Sequence, residues 1–199
     1  MAKISSYQQF VTEKAISLSS MKGDIGILVK EEKVTHAREK RLVLYDFTNK
    51  KIVAYIGIKR WYNDKTWEMM MVIADKNFGP SIYDSSMMAI YPQGLRPSRV
   101  IKEKAIGVWK YYMEHRNDVS KKPVKKEDEY KIYSYDNDHK GLDDEETLAV
   151  LNTEFSMKPT KSFKDLVDKG KSLSKKYKVD IDEIIEEASE HFWKEYDHA

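Results

Sequence analysis

Between residues 41 and 60 the apolar positions fall on every second residue. Leu42, Leu44, Ile52, Ala54, Ile56 and Ile58 alternate with polar or aromatic neighbours, the mark of strands with a buried face. Two strands are predicted, over 41–47 and 51–60, joined by the turn Thr48-Asn49-Lys50. Asn63 and Asp64 mark a further turn into a third strand over 66–74. Its run Met69-Met70-Met71-Val72-Ile73-Ala74 is the most apolar of the three, which places it at the centre of an antiparallel meander. A short strand is expected over 25–29, beside Gly23 and Gly26. The polar stretch 30–40 shows no period and reads as a loop or a solvated helix.

Elsewhere the period is helical. Tyr7, Phe10, Val11 and Ala15 predict a helix over 6–19, and Ala105, Val108, Trp109, Tyr112 and Met113 another reaching residue 116. The turn Asp75-Lys76-Asn77-Phe78-Gly79-Pro80 opens a helix over 81–91. Pro92, Gly94 and Pro97 then interrupt regular structure, leaving 94–97 as a short strand. Residues 121–129 read as a charged linker around Pro123, and 130–135 as one more strand. Helices follow over 143–151 and 162–177. The last begins at Asp180 with Glu183 in a capping-box-like spacing, and its stripe is Ile181, Ile184, Ile185, Ala188, Phe192 and Tyr196. The chain is thus α+β, with a mixed domain over 1–136 and a C-terminal helical extension over 137–199. Residues 162–178 are lysine-rich and 180–197 acidic, so the two helices are expected to fold as a mutually neutralising hairpin.

Composition narrows the function classes. The 199 residues carry 35 basic and 33 acidic side chains, a net charge of +2, which speaks against a general nucleic-acid binder. With no cysteine, thiol catalysis and cysteine-zinc sites drop out. The five histidines have no paired metal spacing, and neither a Gly-x-Ser-x-Gly elbow nor a phosphate-binding Walker loop occurs. No apolar run reaches the roughly 18–20 residues a membrane span needs, and the polar start does not read as a signal peptide. A soluble intracellular protein is expected.

The sharpest feature is strand, Gly-Pro turn and helix over 66–91. A turn of this kind aims backbone N–H groups at one point, a place for phosphate. It holds one glycine, and Gly79-Pro80 is equally a good helix start. The order of elements resembles the GNAT superfamily of acyl-CoA-dependent N-acetyltransferases. The segments Asn77-Phe78-Gly79-Pro80-Ser81-Ile82-Tyr83-Asp84, Gly94-Leu95-Arg96-Pro97-Ser98-Arg99 and Val108-Trp109-Lys110-Tyr111-Tyr112 look closest to a bacteriophage-encoded branch of GNAT-like proteins.

That resemblance implies a mostly antiparallel central sheet flanked by helices, with the central strand splayed from its neighbour to admit acetyl-CoA. It implies pyrophosphate binding by Lys76, Asn77, Phe78, Gly79, Ser81 and Ile82, although Pro80 lacks an N–H. Glu68 falls where the family places its general base; it reads either as a carboxylate with its pKa raised by burial or as a strand-end glutamate facing water. Trp109 stands where the family has its acidic tyrosine, so Tyr112, one turn on, is the substitute, or all these aromatics form a core stripe. Asp84 would repel a phosphate and is expected to face elsewhere. Lys59, Arg60, Arg96, Arg99, Lys102 and Lys104 read as a basic rim for the 3′-phosphate of CoA or a nucleic-acid backbone, or simply as solvated charge. The implied functions are an N-acetyltransferase with a degenerate site, or a non-catalytic virion component or host-factor-binding effector. Either would act in the infected bacterial host or in the virion, with no membrane; a nucleic-acid ligand on the basic rim is a third, weaker reading.

Overall fold

A computed structural model describes residues 16–62, 64–98, 103–125 and 145–197. The helix expected over 6–19 lies mostly outside these, as do the strand over 130–135 and the boundary at 136. Residues 18–20 form a single 3-10 turn.

Seven strands build one sheet: β1 (Ile25–Val34), β2 (Ala37–Asp46), β3 (Lys51–Trp61), β4 (Trp67–Ala74), β5 (Leu95–Arg96), β6 (Ser120–Pro123) and β7 (Thr153–Ser156). Their spatial order is β1-β2-β3-β4-β5-β7-β6, antiparallel throughout except for β4 beside β5. The expected meander is present, extended by β1; β4 ends it and lies at the middle of the seven-stranded sheet. Five helices accompany the sheet among the described residues: α1 (Gly79–Ile90), α2 (Glu103–His115), α3 (Glu145–Leu151), α4 (Lys161–Tyr177) and α5 (Ile181–Asp197).

The stretch 30–40 is neither loop nor helix. It is the outer half of the β1–β2 hairpin, closed by the two-residue turn Thr35-His36 between Val34 and Ala37. Opposite charges across the ladder stand in for an apolar face: Lys40 Nζ lies 3.1 Å and Arg38 3.7 Å from Glu31. Because both faces there are polar, no two-residue period marks the strands. The supposed linker begins likewise as β6, which pairs with β7.

Both faces of the sheet are covered. Leu42, Leu44, Ile56, Ile58, Trp67 and Met69 pack with Ile82 and Met87 of α1 and Trp109 and Tyr112 of α2. On the other face Val43, Tyr45, Tyr55 and Ile73 meet Leu173 of α4 and Ile184, Ile185 and Ala188 of α5. The aromatics between the aliphatic positions of β2 and β3 are therefore a second core, not a solvent face.

The C-terminal helices belong to this packing. Helix α4 lies so close on β1 that a Cβ on Gly170 would stand 2.3 Å from the carbonyl oxygen of Ile27. Thr160 caps α4 by accepting from the Phe163 N–H at 3.2 Å, and Asp180 accepts from the Asp182 N–H at 2.8 Å at the start of α5. The ion pairs described for these helices run to the sheet instead of across a hairpin. Lys176 meets Asp24 at 3.1 Å, Asp182 meets Lys30 at 3.3 Å, and Glu186 meets Arg41 at 2.9 Å.

Candidate functional site

Strand β4 carries the candidate site, and a bulge shapes it. Gly57 pairs with Met71 and Ile58 with Met69, so Met70 has no residue opposite it and stands 43 % exposed. Bulges bend the strand that carries them. On its other edge β4 pairs with β5 at Trp67↔Leu95 and Glu68↔Arg96, reinforced by the Trp67 N–H donating to Gly94 O at 2.9 Å. Among the described residues the ladder ends there.

At the end of this ladder sit two buried charges. Glu68 is 5 % and Arg96 3 % exposed. The guanidinium of Arg96 lies 3.5 Å from the Glu68 carboxylate and 3.4 Å from that of Asp64. Glu68 is therefore not a strand-end group facing water, and Arg96 is not part of a solvated rim. Of the other rim residues, Lys59 pairs with Glu39 at 3.1 Å and Arg60 lies over the Trp67 ring at 5.5 Å. Arg99 and Lys102 fall outside the described residues.

The turn before α1 is built as its sequence suggests. Asn77 takes a left-handed conformation, φ 73°, which asparagine tolerates, and the Phe78 N–H closes the turn on Asp75 O at 3.1 Å. Lys76 is exposed and Phe78 half-buried, while Gly79, Ser81 and Ile82 are buried. The chain's own backbone fills part of this place. The Ile16 N–H donates to Asn77 O at 3.1 Å, and the Ser81 hydroxyl donates to Ile16 O. The Ile82 N–H is used within the helix, on Phe78 O at 3.2 Å. Six residues expected to converge on a phosphate thus divide into an exposed lysine, a half-buried pair and three buried groups, of which Ser81 bonds the backbone of residue 16.

Tyr112 is fully buried, and its hydroxyl donates to the Asp84 carboxylate at 2.7 Å. Arg116 grips the same carboxylate with two nitrogens, both at 3.0 Å, and reaches Asp118 at 2.8 Å. Burial pushes the Tyr112 hydroxyl well above its ordinary pKa, and the neighbouring Asp84 charge adds to this. Desolvation likewise raises Asp84 against the pull of Arg116, whereas hydrogen bonding by Arg116 lowers Asp118. A tyrosine so placed holds its proton, and the cluster ties α1 to the end of α2. Trp109 packs edge-on to Tyr83 and tilted against Phe155, at centroid distances of 5.4 and 5.0 Å, a core stripe.

The Asp84 carboxylate is taken up by Arg116 and Tyr112. Its partner Arg116, and Asp118 on the far side of Arg116, escaped the sequence reading. The available signal was Asp84 itself, an acid set between Tyr83 and Ser85 in an otherwise uncharged helix, since such a group is seldom buried unpaired. No cluster of three metal-ligating side chains occurs among the described residues.

Comparison with protein-family models, curated proteins and solved structures yields no match.

Proposed function

We propose that this chain is a GNAT-like protein of the bacteriophage-encoded branch that keeps the fold and has given up CoA-dependent acyl transfer. It acts by binding another protein, in the virion or in the infected bacterium. Support for the fold comes from a central strand that pairs parallel with its neighbour over two residues and leads through a Gly-Pro turn into a helix. The observation that carries the loss of chemistry is the occupied start of α1, where Asn77 and Ser81 hold the backbone of Ile16. The locked hydroxyl of Tyr112 and the Arg96 guanidinium beside Glu68 point the same way. Trp61 and Tyr62, 41 % and 54 % exposed at the end of β3, are the side chains that protein interfaces favour.

A second reading, an acyl-CoA-dependent N-acetyltransferase with Glu68 as base, draws on one specific observation. That is the end of the β4–β5 ladder after two pairs, with a buried carboxylate in the last of them. Thermal denaturation with acetyl-CoA separates the two. At about 1 mM ligand the scaffold reading expects an unchanged Tm, because a ligand well above its Kd must stabilise the protein it binds. A concentration-dependent rise, with acetyl transfer to an amine that Glu68→Gln abolishes, restores the enzyme. Stoichiometric presence of the chain in purified particles, or a defined complex with one host protein, is the positive result expected of the scaffold.

A further inference from the structure

The two C-terminal helices carry opposite charge. Residues 161–178 hold seven lysines and two aspartates, and residues 180–197 eight acids and one lysine. Their described ion pairs run to the sheet, so the two blocks do not cancel each other within the molecule. They meet at the turn between α4 and α5. There Lys175 and Lys178 line one open depression together with Asp180 and Asp182, and Val179 and Ile181 complete its wall.

Both halves of the depression carry charge that the fold does not use. Lys175 and Lys178 are exposed and reach no carboxylate among the described residues, whereas their neighbour Lys176 is taken by Asp24. On the acidic side Asp182 meets Lys30, but that ammonium already lies 2.9 Å from Glu32 and 3.4 Å from Glu186. The cluster behind it sets Lys30, Arg41 and Lys59 against Glu32, Glu39, Glu186 and Asp182. Four carboxylates thus face three cations, and Asp182 is the most exposed of the four, its side chain at 69 %. Asp180 is exposed and caps α5 through one oxygen, on the Asp182 N–H at 2.8 Å. Val179 and Ile181 pack against the core of Leu173, Ile184 and Ile185 and are only half-buried.

We propose that this surface is a dimer contact and that its occupant is a second copy of the chain. A patch basic on one half and acidic on the other is complementary to itself when turned about a two-fold axis. Lys175 and Lys178 of each copy then meet Asp180 and Asp182 of the other, around a centre formed by the paired Val179 and Ile181. Apolar side chains within and charges at the rim are the anatomy of a protein interface. A nucleic acid or a wholly acidic partner fits the patch badly, because the aspartates beside the lysines repel it. Exposed ion pairs are individually weak, so the dimer is a weak one that salt dissociates. The inference does not rest on the function proposed above.

The test is sedimentation equilibrium of the full chain at about 10–500 µM. In about 50 mM salt a reversible monomer–dimer equilibrium is expected, with a Kd of about 200 µM or tighter. In about 500 mM salt it is expected to weaken about fivefold or more. Lys175→Glu with Lys178→Glu makes the patch wholly acidic, and Asp180→Asn with Asp182→Lys makes it basic while the asparagine keeps the helix cap. Each double variant alone is expected to be monomeric over that range, with the far-ultraviolet dichroism of the parent. Mixed in equal amounts, the two are expected to form a heterodimer. Lys175→Gln, an exposed change that leaves the fold intact, is expected to weaken the parent dimer about threefold. The proposal is overturned if the parent stays monomeric at the highest concentration in low salt, or if its dimer is indifferent to salt. It is equally overturned if any of the three variants dimerises as tightly as the parent, or if the mixture of folded double variants stays monomeric.

Discussion

The sheet is two unequal halves that meet at β4. On one side β1, β2 and β3 run 10, 10 and 11 residues, and β4 itself 8. On the other, β5, β7 and β6 run only 2, 4 and 4. The long half sets its own register through long ladders, tight turns and residues alternating between two cores. The short half cannot: β5 meets β7 at the single pair Leu95↔Phe155. Side chains do there what backbone does opposite. Phe155 packs on Trp109, the Thr66 hydroxyl donates to Glu154, and Arg116 clamps Asp84 and Asp118 across two helices. Strands too short to specify their own pairing are positioned by the helices packed on them.

If that is so, the clamp is the most costly single thing to remove. Arg116→Met leaves the Asp84 carboxylate buried with Tyr112 as its remaining described partner, and breaking a buried pair in this way costs about 3–5 kcal/mol. Urea denaturation is expected to show a loss of this size. Hydrogen exchange is expected to rise first in β5, β7 and α2, with β1–β3 protected. Uniform loss of protection would show that the halves do not differ.

The corresponding break in the long half is steric. Gly170→Ala puts a methyl against backbone, 2.3 Å from Ile27 O, where no flexible side chain can give way. Overpacking of this kind costs about 3 kcal/mol. The loss is expected in the docking of α4 on β1 while the ladder of β2, β3 and β4 persists, read as selective loss of protection in α4. Tyr112→Phe is milder. It removes one hydrogen bond to a charged group, worth about 1.5–3 kcal/mol, and leaves the ring packed on Tyr83 and Trp109. Retained near-ultraviolet dichroism with a lowered Tm is expected; wild-type stability would mean the hydroxyl contributes nothing.

The contrast between the halves also separates what the sequence told from what it withheld. Leu42, Leu44, Ile56 and Ile58 announced β2 and β3 because each packs in one layer of a two-sided core. Gly79-Pro80 and Asp180 announced helix starts because their chemistry is local. Ser120-Lys121-Lys122-Pro123 and Thr153-Glu154-Phe155-Ser156 announced nothing, since four residues cannot display a period and their pairing is a long-range event. The candidate site divides in the same way. Its turn and central strand were legible, while the fate of Tyr112 was set by Asp84, 28 positions away, and by Arg116 beyond the end of its own helix. Glu68 was recognisable as a candidate base. Its burial beside Arg96 followed from a two-residue parallel pairing that no spacing encodes.

The smallest expected effect is also the most discriminating, because the two aspartates of the clamp titrate in opposite senses. Asp118 is held below its ordinary pKa by hydrogen bonds from Arg116. It therefore contributes stability above about pH 4, the usual aspartate range, and loses it as pH falls through its folded value. Asp84 is raised by desolvation, so its contribution is present below about pH 4 and is lost as pH rises through its folded value. The Tm difference between parent and Asp118→Asn is expected to be largest near neutrality and to shrink on acidification. For Asp84→Asn the pH-dependent part is expected to run the other way, the parent gaining on the variant as pH falls. In the long half Asp24, lowered by Tyr177 and Lys176, supplies the control: Asp24→Asn is expected to follow the sense of Asp118→Asn. Parallel profiles for all three variants would mean that burial does not set Asp84 apart from an exposed ion pair, and the clamp would lose its claim to hold the short half in place.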